Sequence, residues 1–203
     1  QTLETNLKSN ADFIGQLIED GNSITLVTSN KQEVFLNIPA AFDIETTSFY
    51  SGDEKRAIMY EWTFGIGYMK NGEFSRLKTY GRTWEQFITL MDCVSKLMGL
   101  NPRRRLVVYV HNLPYEWQFM RKNLTWEKVF FLDQRKPVYA ITTNGIEFRC
   151  SLKLSGKSLA NTALDLTKYK AKKMVGDLDY SLIRTPKTPL TKIELGYCEA
   201  DVV

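Results

Sequence analysis

Asp43 and Glu45 stand two residues apart in the run Ala41-Phe42-Asp43-Ile44-Glu45-Thr46-Thr47. On a strand, residues i and i+2 share a face roughly 7 Å apart. Both acids therefore point the same way from the end of a short apolar strand, Ala40 to Glu45. Carboxylates held side by side repel, and a hard divalent cation between them is the usual relief. Further along, the apolar run Leu106 to Val110 leads into His111-Asn112-Leu113-Pro114-Tyr115-Glu116. A strand that runs into a turn and then a helix is where α/β sheets place ligand groups. Glu116 falls in the first helical turn, where its charge suits the helix dipole. In Tyr197-Cys198-Glu199-Ala200-Asp201 a phenol and a carboxylate sit at i and i+4 on one helix face. Taken singly, each segment also reads as ordinary: a strand end turning into solvent, a helix-favouring acid, a half-buried tyrosine beside a solvated aspartate.

Taken together, the three segments occur in the order of the DEDD exonucleases. The chain from about residue 40 to residue 203 resembles the N-terminal 3′→5′ exonuclease domain of protein-primed family B DNA polymerases, the phi29-like phage group. Asp43-Ile44-Glu45-Thr46 is similar to the first exonuclease motif of that family. His111 to Glu116 resembles the second. Tyr197 to Asp201 resembles the third, in its tyrosine subtype. Ser151-Leu152-Lys153-Leu154 is similar to the family's Ser-Leu segment, and Gly176-Asp177-Leu178-Asp179-Tyr180 to its Gly-Asp-x-Asp-Tyr stretch. Each motif is short, but five in order make a specific signal.

The resemblance implies an RNase H-like exonuclease fold of α/β class, a mixed sheet flanked by helices. It implies hydrolysis of the 3′-terminal phosphodiester of single-stranded DNA with two Mg²⁺ ions about 4 Å apart, for which Mn²⁺ can substitute. Asp43, Glu45, Glu116 and Asp201 would hold the ions, and Tyr197 would orient the attacking water. Thr46, Asn112, Tyr115, Ser151, Leu152, Tyr180 and Lys173 would hold the DNA strand, with Tyr115 offering a ring on which a base can stack. The partners implied are a single-stranded 3′ end, a polymerase domain in the same longer chain and a terminal priming protein. Two positions depart from the family pattern. Glu116 stands where the family carries Asp, a side chain longer by one C–C bond, about 1.5 Å. Val175 stands where the family carries a Lys just before Gly-Asp, with Lys173 close by as its substitute.

The elements needed to position these residues are legible in the pattern. Residues 12–19 have helical spacing, and 23–28 with 33–38 read as a strand pair. The runs 57–70 and 73–80 form a hairpin across Asn71-Gly72. A helix capped by Thr83 covers 84–97. Helices are expected over 115–122, 159–166 and from 191 onward, and a second hairpin, 138–142 with 146–151, across Asn144-Gly145. The last five residues stop in mid-pattern without a cap, which reads as a piece of a longer chain. Residues 1–39 form an extension of no assigned role ahead of an exonuclease domain at 40–203.

Composition excludes other chemistries. His111 is the only histidine, so Ser-His-Asp, Cys-His and poly-His metal sites have little to work with. Three widely spaced cysteines make neither a zinc cluster nor a disulfide framework, as expected of reduced thiols in a cytoplasmic compartment. No run of roughly 18 apolar residues offers a membrane span. A net charge of +4 leans towards a polyanionic partner. Arg103-Arg104-Arg105 and the lysines at 168, 170, 172 and 173 read equally as a phosphate track or as solvated surface. Gly65-Ile66-Gly67 lies inside a strand pattern and lacks a third glycine, so it is no nucleotide loop. Two rival readings remain: a non-catalytic single-stranded-DNA-binding module in which Glu116 marks a decayed site, and a stand-alone nuclease of the same superfamily acting on DNA or RNA.

Overall fold

The computed structural model describes residues 3–20, 24–29, 32–165 and 178–202. In chain order these form α1 (Leu3–Asp20), β1 (Leu26–Thr28), β2 (Val34–Leu36), β3 (Ala40–Ser51), β4 (Glu54–Lys70), β5 (Glu73–Gly81), α2 (Trp84–Met98), β6 (Arg104–Val110), α3 (Leu113–Met120), β7 (Trp126–Asp133), β8 (Lys136–Thr142), β9 (Ile146–Cys150), α4 (Ser151–Ser155), α5 (Leu159–Asp165) and α6 (Lys192–Ala200). The expected α/β class is what folds: a mixed sheet flanked by helices, in the order β5-β4-β3-β6-β9-β8-β7. The centre, β3-β6-β9, is parallel, and both wings are antiparallel hairpins. Among the described residues no helix is long and apolar enough to cross a membrane.

Local chemistry accounts for the joints. Asn71 and Gly72 both take positive φ, 53° and 83°, the backbone that a two-residue hairpin turn requires. Gly145 has φ 85°, and a Cβ there would lie 2.6 Å from the Asn101 backbone nitrogen, so the β8–β9 turn needs glycine on both counts. Helix α2 opens on a reciprocal Thr83–Gln86 capping box and closes on left-handed Gly99.

Alternation along β3 and β4 sorts the two faces. Phe42 and Ile44 pair with Phe64 and Trp62, and these side chains bury against Phe87 of α2, with ring centroids 4.5 Å (Phe42) and 5.2 Å (Trp62) away. Asp43 pairs with Thr63 and Glu45 with Glu61 on the opposite face. There α6 packs on β3 and β4. It comes so close that a Cβ on Gly65 would lie 3.0 Å from the Val202 carbonyl oxygen. The glycines of 65–67 are thus packing positions within a strand, as their pattern indicated.

Four elements differ from expectation. Helix α1, expected over 12–19, already begins at Leu3. Strand β3 does not end at Glu45 but runs on to Ser51, because the polar stretch Thr46–Ser51 pairs with Ala57, Arg56, Lys55 and their neighbours in β4. The run 126–133 forms an additional edge strand, β7, hydrogen-bonded only to β8. The Ser-Leu segment, whose Ser151 was expected to close a strand, instead begins the short helix α4. Residues ahead of the first motif are built into the domain. Strand β2 continues the sheet beside the start of β6, and α1 buries Phe13 and Leu17 in the main core.

Candidate metal centre

Asp43 and Glu45 leave β3 on one face, and Asp201 caps the C-terminal end of α6 directly above. Helix α6 is anchored at its other end by a Thr191–Glu194 capping box. One carboxylate oxygen from each of Asp43, Glu45 and Asp201 lies within 4.8 Å of the others, and all three residues are half-buried. Three hard oxygen donors at that spacing, drawn from two elements, match the donor set of Mg²⁺ or Mn²⁺. The expected first and third motifs are therefore brought together.

Tyr197 lies one helical turn before Asp201, with its hydroxyl 3.4 Å from that of Tyr180. The contact with Tyr180, burial and the charges of Asp201 and Glu45 all push the Tyr197 phenol further above its usual range. It remains a protonated hydrogen-bonding group at neutral pH.

Glu116 is placed differently. Its side chain is buried in the first turn of α3 and one of its oxygens, Oε2, has no hydrogen-bond partner. Burial and then the charge of Asp43 push its carboxyl up to about 9. It neighbours Asp43 electrostatically but stands outside the compact three-acid group. An acid in a first turn is normally solvated, so no local pattern signals this burial.

Of the residues expected to hold a strand, Thr46 follows Glu45 on β3 and Ser151 lines a cavity with Asp43 and Asp201. The hydroxyls of Thr46 and Tyr115 are hydrogen-bonded to each other, which ties the first motif to the second. Asn112, exposed at φ 72°, holds the left-handed turn between β6 and α3. Ser151 hydrogen-bonds His111 Nδ1 at 3.1 Å, joining α4 to the same turn. Leu152 packs against the core beside them. Tyr180 is largely exposed apart from its approach to Tyr197. Lys173, the other lysines of 168–173, Val175, Gly176 and Asp177 lie outside the described residues. A cavity of about 320 Å³ opens beside Asp43 and Asp201, walled by Phe74, Leu77, Tyr109 and Leu159.

Within the arginine triplet, Arg103 is exposed while Arg104 and Arg105 make structural contacts. Arg105 is buried and ion-paired to Glu33 at 2.7 Å and Glu147 at 3.0 Å. Arg104 donates to the Met98 carbonyl at the end of α2. Arg105 is committed to the fold by its ion pairs.

Sequence reasoning also missed Glu61. It lies directly opposite Glu45 across the β3–β4 pair and is completely buried. Burial pushes its carboxyl up to about 7, partly offset by the Cys198 thiol of α6 and the charge of Arg82. Compared with protein-family models, with characterised proteins and with solved structures, the chain has no match.

Proposed function

We propose that this chain is a metal-dependent 3′→5′ exonuclease of RNase H-like fold, acting on single-stranded DNA as the proofreading part of a protein-primed family B DNA polymerase. One observation carries the reading. The acids of the first and third motifs, far apart in sequence, converge within 4.8 Å with Tyr197 one turn away. Divalent ions held there would lower the pKa of water and neutralise charge on the departing 3′ oxygen. Asp43, Glu45 and Asp201 supply the oxygen ligands. Glu116, buried on the Asp43 side, is assigned to the second ion. Tyr197 keeps its proton and orients water by hydrogen bonding, since a phenol so far above neutrality is no base. Thr46, Tyr115, Asn112 and Ser151 line the approach of the strand, and the cavity beside Asp43 is of a size for a terminal nucleoside.

The reading is tested with 5′-labelled single-stranded DNA in Mg²⁺, in Mn²⁺ and in EDTA. The expected result is a ladder shortening from the 3′ end. It should be absent in EDTA and reduced roughly 100- to 1,000-fold in Asp43→Ala, the order of loss when an essential charge-stabilising group is removed. Undiminished cleavage by Asp43→Ala would overturn the assignment. The burial of Glu116 outside the three-acid group favours a second reading, a module that binds single strands with weak or no cleavage. A substrate that shifts in a binding gel but stays intact in both metals would select it.

A further inference from the structure

A buried carboxylate is costly, and Glu61 is the most deeply buried acid described here. Neither of its oxygens has a hydrogen-bond partner of good geometry, and of the α6 groups that act on it, Cys198 and Glu199, the Cys198 thiol is the weak donor. A well-packed apolar residue would serve the core better at this position. The backbone shows why it points where it does. The β3–β4 register slips between Glu45 and Thr46: Glu45 faces Glu61 while Thr46 faces Met59, so Tyr60 is an extra residue on β4. Such a bulge re-aims the side chains beside it. Here the extra residue, Tyr60, packs with Leu195 of α6, and Glu61, in register with Glu45, lies on the face that α6 covers, near Cys198, which lies between Tyr197 and Asp201 on the helix. Asp43 from β3, Glu199 from α6 and Arg82 also act on it. Its oxygens fall outside the compact group formed by Asp43, Glu45 and Asp201.

We propose that Glu61 is a positioning residue of the metal centre. Its buried carboxyl, acting through Cys198, sets how α6 sits on the sheet and so where Asp201 and Tyr197 stand relative to Asp43 and Glu45. The inference rests on the metal-centre reading above and deepens it. The arrangement is a trade: an unfavourable burial tolerated because it fixes ligand geometry.

Mn²⁺ binding to the full chain, followed by electron paramagnetic resonance well below each variant's melting temperature, tests it without reference to cleavage. Glu61→Ala should weaken Mn²⁺ binding about five- to tenfold while leaving the melting temperature unchanged or raised. A purely structural residue would do the reverse. Cys198→Ala should weaken binding similarly, and the double variant should be no worse than the poorer single one, because both act through one contact. Glu61→Gln, which keeps shape and hydrogen-bonding capacity, should bind within about twofold of the parent. Mn²⁺ binding unchanged in both Glu61→Ala and Cys198→Ala would overturn the proposal. So would a loss in Glu61→Gln as deep as that in Asp43→Ala, which would make Glu61 a ligand. So would multiplicative effects in the double variant. Should Glu61→Ala fail to fold, Cys198→Ala and Glu61→Gln still decide between these outcomes. Should the unaltered chain bind no Mn²⁺, the metal-centre reading itself fails, and the role of Glu61 with it.

Discussion

Glu116 combines burial, a neighbouring anion and an unpartnered oxygen, and all three favour its neutral form. Its carboxyl titrates near 9 in the fold against an ordinary 4.5. The folded state therefore holds a proton that the unfolded state lacks across that window, so its contribution to stability falls as pH rises. The slope is at most about 1.4 kcal/mol per pH unit. In EDTA, the urea midpoint should fall between pH 6 and pH 9. Glu116→Gln should flatten that fall and stabilise the chain at pH 9, by about 2 kcal/mol or more. A pH profile identical to that of the parent would refute the assignment. At this scale the sequence was informative where spacing alone decides. The i, i+2 acids of β3 and the i, i+4 pair of α6 face one centre as periodicity requires. Glu61 was invisible because its burial depends on a cross-strand register and on the helix packed over that face, which no local pattern encodes. The burial of Glu116 was hidden for a related reason: how deeply a first-turn acid sits depends on what α3 packs against.

The segment Leu178–Leu190 connects Tyr180 to α6 without regular structure of its own, and two buried arginines hold it. Arg82 donates to the carbonyls of Tyr60, Thr185 and Thr188 at 2.6, 3.0 and 2.7 Å. Arg184 pairs with Glu194 at 2.7 Å and donates to the Asp179 carbonyl at 2.7 Å. One guanidinium thus fastens both the start of α6 and the residue beside Tyr180. Arg184→Met leaves Glu194 largely buried and unpaired, a loss of about 3 kcal/mol. The expected result is a lowered urea midpoint together with new proteolytic cleavage within 178–190. An unchanged digestion pattern would show that the clasp is dispensable. Long periodic elements such as α2 and the β4–β5 hairpin were readable because their turn and cap residues are explicit. Strand β7 was not, since an edge strand solvated along most of its length shows no clear alternation. Helix α4 is five residues long, too short for a period to register.

Residues 1–39 carried no recognisable motif, yet their described part is joined to the domain in three ways. Phe13 and Leu17 of α1 lie in the main core. Asp20 at the end of α1 accepts from the Tyr68 hydroxyl at 2.5 Å and pairs with Lys70 at 2.9 Å. Glu33 closes the buried pair with Arg105 beside β2. Burial of the two large side chains alone is worth about 3–6 kcal/mol. That is a large part of the stability of an ordinary domain. A chain beginning at Pro39 should therefore be insoluble, or should melt at least ~10 °C lower by circular dichroism. A truncated chain with the parent's melting temperature would show the segment to be a detachable appendage.

The three-acid centre draws Asp43 and Glu45 from an early strand and Asp201 from the last described helix. During synthesis the first two acids leave the ribosome long before the third exists, and their pairing with it must await the closure of a loop that spans most of the domain. Strands and helices in between can fold while the carboxylate group is still incomplete. The three-acid group is thus complete only once α6 has been made. A ribosome-bound chain stalled before α6 would carry Asp43 and Glu45 without the third carboxylate of the group.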